Sequence, residues 1–519
     1  MKQVTIEKER YYDSVFLMLI SKEVEALPGV VSATAALATP SNIENLTRIG
    51  FTSPELIAAG PNDLVVAIDA DSEGAIAAAQ ARVEEMLTEK KEEGATSAAR
   101  PSSLTSAMGS LPGANLALIS VPGQYAAREA RLALRKNLHV MLFSDNVAIE
   151  DEIALKKEAV ERGLLMMGPD CGTAIINGAP LGFANAVRRG SIGIVGASGT
   201  GIQEISSLID RYGAGISQAI GTGGRDLHEE VGGTMMLFGI DALARDPETS
   251  VIVVVSKAPA QSVASKVIAR LEDIEKPVVV QFIAETDLVT RGNITFAPSL
   301  AAAARIACEK AGVSITSDGV ESDAQLERIA AAESEKMGPR QKRLVGLFGG
   351  GTLAQEAWHL LSAGGEKVYS NVALDKEMKI AGDESVDGHV LLDLGDDIFT
   401  RGRPHPMIEP SLRDEHVYAL AEDGSVALIL LDLVLGYGAH PDPAEGLATA
   451  IQHVKKAFAE RGGYLSVVAS ITGTNADPQG YSRQRAKLEG SGAIVMGSNE
   501  GAARLVHAIL ARIAREGGR

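Results

Sequence analysis

Two glycine-rich turns carry the residue types best suited to chemistry. Gly193-Ile-Val-Gly-Ala-Ser-Gly-Thr-Gly-Ile-Gln-Glu204 returns in the second half of the chain as Val345-Gly-Leu-Phe-Gly-Gly-Gly-Thr-Leu-Ala-Gln-Glu356. In each copy an apolar run enters a turn free of bulky side chains, and a helical pattern ending in Gln-Glu follows. Glycine lets the backbone approach a ligand closely, and the unpaired N–H groups of the following helix carry partial positive charge. Ser198, Gly199 and Thr200 open one helix, and Gly350, Gly351 and Thr352 open the other. Each hydroxyl can cap its helix or bind a ligand oxygen, so the expectation is an anion site of the phosphate or carboxylate kind. The plain alternative is a pair of tight strand-to-helix turns that bind nothing.

Other candidates lie downstream. Arg401 and Arg403 flank Gly402, with His405 between two prolines, and a guanidinium fork matches a carboxylate or phosphate bidentately. His440 stands in Gly436-Tyr-Gly-Ala-His-Pro-Asp442 after the apolar strand Ala427–Leu431, where it could donate to a developing oxyanion or move a proton. Thr474 and Asn475, after the strand Leu465–Ala469, could add hydroxyl and amide donors at the same sheet edge. Asp170 and Cys171 sit in a Gly-Pro-bounded turn that shapes a site rather than reacting.

These groups need a scaffold, and the apolar runs supply one. Short runs at Leu116–Val121, Val140–Phe143, Val251–Val255 and Pro277–Phe282 alternate with helical patterns, which implies parallel sheets. Residues 1–90 read as a small ferredoxin-like βαβ unit, and 91–114 as a linker, turning from Lys-Lys-Glu-Glu to Ser, Ala, Pro and Gly. After a second linker at 318–342, residues 343–519 repeat the order of elements in 191–317: Val251–Val255 matches Ala427–Leu431, and Val278–Val280 matches Ser466–Val468. The insertion around Arg401 has no counterpart in the first copy.

Composition narrows the partners. At 519 residues the chain is too long for one core, and a formal net charge of −18 leaves no basic stripe for nucleic acid or an anionic membrane. No apolar run reaches a bilayer span and no signal-peptide layout is present, so a cytoplasmic protein is expected. Two cysteines, Cys171 and Cys308, exclude a disulfide framework, and neither a Walker nor a His-Glu-x-x-His motif occurs, so no metal is expected.

Taken in order, the motifs resemble the succinyl-CoA synthetase superfamily and, within it, the FdrA family. From Leu116 to about Ile315 the chain is similar to the α subunit of the ligase, through Gly168-Pro-Asp-Cys-Gly, Ser198-Gly-Thr and Gly221-Thr-Gly-Gly-Arg-Asp. From Leu344 onward it resembles the second CoA-ligase module, through Leu391-Leu-Asp-Leu-Gly395 and Gly473-Thr-Asn475, and Gly436-Tyr-Gly-Ala-His-Pro-Asp-Pro443 looks particularly like FdrA. The resemblance implies a multidomain α/β fold: the small ferredoxin-like domain, a Rossmann-like domain at 115–190, and two flavodoxin-like parallel-sheet modules at 191–317 and 343–519. It adds Gly223 and Gly224 to the substrate-binding residues.

Two departures bear on activity. The histidine that relays phosphate in the ligase has no counterpart in Ile283–Arg291, and the Gly-rich loop that opens its CoA-binding domain has no match before Leu116, which counts against CoA. The FdrA resemblance implies a component of oxamate carbamoyltransferase in allantoin breakdown, interconverting oxalurate and phosphate with oxamate and carbamoyl phosphate. No cofactor beyond these substrates is fixed. In that reading the helix starts hold phosphate, Arg401 or Arg403 clamps a carboxylate, His440 serves the oxyanion or a proton, and other subunits complete an oligomeric complex. The alternatives are an ADP-forming acyl-CoA ligase and a non-catalytic scaffold subunit.

Overall fold

The computed structural model describes the chain apart from residues 9, 11, 13, 40–41, 44–45, 48–49, 96–100, 102, 286–288, 316–320, 383, 385, 401–402 and 517–519. It divides into two units, Met1–Pro112 with Arg401–Pro404, and Gly113–Thr400 with His405–Arg519.

In the first unit, β1 (Lys2–Glu7), β2 (Val30–Leu37) and β3 (Leu64–Ala70) form an antiparallel sheet in the order β1-β3-β2. The sequence Leu-Val-Val-Ala-Ile-Asp-Ala puts an apolar side chain on both faces of β3, and the period of two splits them. Leu64, Val66 and Ile68 pack with Leu17 and Ile20 of the helix Ser14–Glu25 and with Ile76 and Val83 of the helix Glu73–Ala95. Val65 and Ala67 meet Leu46, Phe51 and Leu56 on the other face. A helix crossing from β1 to β2 with β3 between them is the ferredoxin-like arrangement. Residues 91–114 hold the end of the helix Glu73–Ala95 and a further helix, Leu104–Ser110, where the sequence reading placed a linker. Lys and Glu are good helix formers, so the charged run continues the helix.

The second unit begins with a small parallel sheet, β4 (Leu116–Ile119), β5 (His139–Leu142) and β6 (Met166–Met167). A hairpin follows, β7 (Thr173–Ile176) and β8 (Ala179–Gly182), on the edge of a seven-stranded sheet with β9 (Arg189–Ala197), β10 (Ile216–Gly221), β11 (Val251–Ser256), β12 (Val278–Phe282) and β13 (Ile294–Phe296). Its parallel part runs β13-β12-β11-β9-β10, the doubly wound order 2-1-3-4-5. The last sheet, β14 (Arg343–Phe348), β15 (Val368–Ser370), β16 (His389–Asp393), β17 (Val426–Val434), β18 (Ser466–Thr472) and β19 (Ile494–Met496), is wholly parallel in the order β15-β16-β14-β17-β18-β19. Without the edge strand β15 it repeats the first order strand for strand. The helix Asp323–Ser334, capped by Ser322, lies in the stretch 318–342.

The two modules share one apolar core. Ile205, Leu208 and Ile209 of the helix Gly199–Arg211 lie in a single buried cluster with Leu353, Ala357 and Leu361 of the helix Gly351–Ala363. A second tie is ionic. Lys156 is fully buried and its Nζ donates to Glu152 (2.8 Å), Asp226 (2.7 Å) and the Thr222 carbonyl (2.9 Å). Asp226 also accepts from the N–H groups of Met235 and Met236, so part of the Gly221–Asp226 motif anchors the β4–β6 sheet to the larger one.

Candidate functional site

β9 runs straight into the first glycine-rich turn, and Ser198 caps the helix behind it by accepting from Gly201 N–H at 3.0 Å. The second copy has Gly350 at the capping position and no side-chain cap of its own. A carboxylate replaces it. Asp432, inside β17, accepts from Gly349 N–H and Gly350 N–H at 2.7 Å each. By the pairing with the central strands the first copy carries Val255 at that place, its side chain against Gly201, so no carboxylate fills its helix start in the same way.

The two starts meet. Ser198 Oγ and Thr352 Oγ1 are 2.7 Å apart in a buried hydrogen bond, and a Cβ on Gly350 would come within 3.2 Å of the Thr200 methyl. These pairs exchange under a pseudo-two-fold that swaps the copies. Gly201 N–H is taken by the Ser198 side chain and Ile202 N–H by the Ser198 carbonyl, which leaves Gly199 and Thr200 N–H at the open end. Beside them stands Thr173, only 2% exposed, whose Oγ1 is buried without a hydrogen-bond partner and lies 3.5 Å from where a Gly199 Cβ would sit. A buried hydroxyl left unpaired is costly, so this one calls for a ligand atom or water.

Charge collects around the same starts. A Cβ on Gly351 would contact Asp393 Oδ2 and come 3.4 Å from Lys257 Nζ. Lys257 follows β11 at the point where the strand order reverses, the crevice where open α/β sheets bind ligands. Burial pushes the Asp393 carboxyl up to about 6, against the pull of Lys257 and the Gly395 N–H, with Asp396 and Asp432 adding to the rise. Loss of hydration also raises Asp170 to about 6, together with Asp145 and Asp397 and opposed by Lys257 and Arg225, although its side chain reaches solvent. His405 is held down to about 4 by burial. Its Nδ1 accepts from Met407 N–H at 3.2 Å, so the neutral ring keeps its proton on Nε2, next to Gly395. Burial raises Asp432, while Arg413, 3.5 Å from Oδ1 and donating to the Asp432 carbonyl at 2.6 Å, works against that rise.

The Gln-Glu endings of the repeat are buried where the modules join. Glu204 accepts from Asn499 N–H (3.1 Å) and Thr472 Oγ1 (2.5 Å). Glu356 accepts from Leu300 N–H (2.7 Å) and Asn499 Nδ2 (2.8 Å). Each copy's glutamate thus caps the last helix of the other module. Burial raises both, Glu356 to about 8.

The remaining expected site residues are placed as follows. Gly223, at φ +88°, packs against the Pro169 carbonyl, and a Gly224 Cβ would be 3.3 Å from Asp170 Oδ2, so both shape the Asp170 turn. Thr474 donates to the Ala186 carbonyl at 2.6 Å, a tie across to the first half of the unit, and Asn475 Oδ1 accepts from Ser482 N–H at 2.8 Å within its own module. His440 Nδ1 accepts from Asp442 N–H at 3.1 Å, fixing its own turn. Arg403 is exposed and belongs to the first unit, whereas Arg401 lies outside the described residues. Thr173, Lys257, Asp393 and Asp432 escaped the sequence reading. The visible signals were a lysine at the carboxyl end of an apolar strand and a lone aspartate within Val426–Val434.

Over its length the chain is 44% identical to the uncharacterized protein YahF of Escherichia coli K12, across 96% of both. The chain belongs to the YahF family, within the succinyl-CoA synthetase superfamily. Three family models match: an AllF heavy metal-associated domain at residues 1–102, a CoA-binding domain at 187–284 and a CoA-ligase domain at 347–509. The α subunit of succinate–CoA ligase (ADP-forming) from Aquifex aeolicus is 31% identical over 28% of this chain and 48% of its own length. A Staphylococcus epidermidis counterpart is 27% identical over 32% of this chain and 55% of its own. The chain thus spans about half the length of these ligase subunits. An apo acetyl-coenzyme A synthetase 1 from Ca. Korarchaeum cryptofilum is 17% identical, over 79% of this chain and 85% of that one, at a TM-score of 0.25.

These matches overturn the expectation of a carbamoyltransferase. In the YahF family member described here the ligase-like region matches CoA-ligase and CoA-binding domains, and the enzymes it resembles join CoA to succinate. The matches to CoA-binding and CoA-ligase domains point towards CoA, which the sequence reading had set aside, and lend no support to carbamoyl phosphate. The residues 1–102 that match a heavy metal-associated domain hold no cysteine, so the thiolates that soft metals prefer are missing. Among the described residues no helix is long and apolar enough to cross a membrane.

Proposed function

We propose that the chain serves acyl-group activation of the CoA-ligase kind, holding the phosphate of an acyl phosphate, or free phosphate, at the first helix start. The observation that carries this reading is the unpartnered Thr173 hydroxyl beside the Gly199 and Thr200 N–H groups that the helix leaves unused. In the segment matching a CoA-binding domain, the residues present fit a phosphate at this point. The start of the helix Gly123–Arg135 does not fit one, because a Cβ on Gly123 would collide with the Asp145 and Asn146 carbonyls that already crowd it.

When bound, CoA supplies a thiol that takes the acyl group as a thioester. The chain's own groups do the rest. Gly199 and Thr200 N–H with the Thr173 hydroxyl orient the phosphate, and Lys257 offsets its charge. The Nε2–H of neutral His405 can donate to an oxygen, while Asp393, titrating near 6, can hold a proton next to Lys257. Thr173→Val and Lys257→Ala should each weaken phosphate binding about tenfold, as one lost hydrogen bond to a charged group would. The assay is calorimetric titration of phosphate, run beside thioester formation from an acyl phosphate and CoA. Unchanged affinity in both variants would remove the site.

The carboxylate of Asp432 at the second start supports a second reading, in which the chain is a non-catalytic subunit that completes its site with other chains. Thioester formation that appears only after a partner subunit is added would favour it.

A further inference from the structure

A cavity of about 1010 Å³ lies in the second unit, where the C-terminal end of the helix Gly199–Arg211 faces the Tyr437 turn and the start of the helix Tyr481–Gly490. It is separate from the helix starts described above. Arg188, Arg211 and Arg485 line it, and the only carboxylate in the lining is Asp210. Such a concentration of cations stands out in a chain whose net charge is −18.

The arginines are already arranged. Arg211 stacks on Tyr481, its guanidinium carbon 4.7 Å from the ring centroid, and donates to the Gly497 carbonyl, yet it forms no ion pair among the described residues. Arg188 is oriented by Asp210 at 2.9 Å and Arg485 by Glu489 at 2.8 Å. On the same wall Tyr437 is 44% exposed, while its N–H donates to the Ala184 carbonyl at 3.0 Å. Its backbone is pinned and its ring is offered to the cavity. Fixed guanidinium groups suit phosphates, and an exposed tyrosine ring suits a planar base.

We propose that this cavity binds a phosphorylated nucleoside, the base stacked on Tyr437 and the phosphates held by Arg188, Arg211 and Arg485. The volume admits a ligand of that size. The same chemistry comes from a free nucleotide or from the nucleotide end of CoA. The site does not depend on the proposed phosphate site at the helix starts.

Calorimetric titration of the full chain tests the proposal with four probes: ADP, adenosine 3′,5′-bisphosphate, CoA and adenosine. Binding of at least one phosphorylated probe, with adenosine silent, is the expected result. ADP above the others would identify a free nucleotide, and CoA with the bisphosphate above ADP would identify the CoA end. Tyr437→Ala should weaken the bound probe about tenfold, in the range of one base–aromatic stack. Arg188→Ala should weaken it as well. The circular dichroism spectrum and melting transition of Tyr437→Ala should match those of the wild type, which shows that the variant is folded. The proposal fails if no phosphorylated probe binds, or if the affinity of the bound one is the same in both variants.

Discussion

Lys257 and the two carboxyls that share its field, Asp170 and Asp393, set the electrostatics of the helix starts. Both carboxyls are raised to about 6, so they are neutral below that pH and anionic above it. An anion at this place is repelled once they ionise. Sulfate, whose own charge is constant between pH 5 and 8, should therefore bind more tightly as pH falls through about 6. The double variant Asp170→Asn/Asp393→Asn should flatten that profile. A wild-type profile without a step in this range would show that these carboxyls do not face the anion. His405 titrates near 4 and should contribute nothing to the step.

Between elements, two substitutions of one residue type by another decide how the helices are capped. The first helix caps itself with Ser198, while the second receives Asp432 from a neighbouring strand. Asp432→Ala would leave Gly349 and Gly350 N–H without their acceptor and the buried Arg413 without its counter-charge, although Arg413 keeps the backbone carbonyl. The expected loss is about 3–5 kcal/mol, the range for breaking a buried charged pair, measured by denaturant unfolding. A loss below about 1 kcal/mol would mean water replaces the carboxylate without penalty.

Glu356 gives a pH test at the same scale. Its carboxyl is raised from 4.5 to about 8, so the folded state favours its protonated form. The stability it contributes is fully present below about 4.5 and is lost as pH rises through about 8. Wild type should therefore lose stability relative to Glu356→Gln across that interval. Parallel pH–stability curves for the two proteins would show that the carboxyl ionises without strain.

At the scale of the whole second unit, the modules are joined through one core and not only through surface contacts. Leu353 is fully buried in the cluster that also contains Ile205 and Ile209 of the other module. Leu353→Ala should cost about 2–5 kcal/mol and lower a melting transition common to both modules. Calorimetry that resolves two transitions, with only one displaced, would contradict a shared core.

The order of strands was legible because buried parallel strands must be short apolar runs, and Val251–Ser256, Val278–Phe282 and Ser466–Thr472 stand where those runs stand. The glycine-rich turns were legible for the same kind of reason, since only small residues pass between a strand end and a helix start at close quarters. Other features depended on residues far apart in the chain. Asp432 reads as an oddity in an apolar strand until the fold sets it under Gly349 and Gly350, and Thr173 is an ordinary strand residue until Gly199 is placed beside it. The charged run at Lys90–Glu93 reads as a linker by composition, yet its helix propensity carries the helix through it. By itself the sequence determined the elements and their repeat, because local periodicity and turn chemistry act over a few residues. Only the tertiary structure decided which helix start stays open, because that depends on whether the adjacent strand brings a carboxylate, as Asp432 does, or an apolar side chain, as Val255 does.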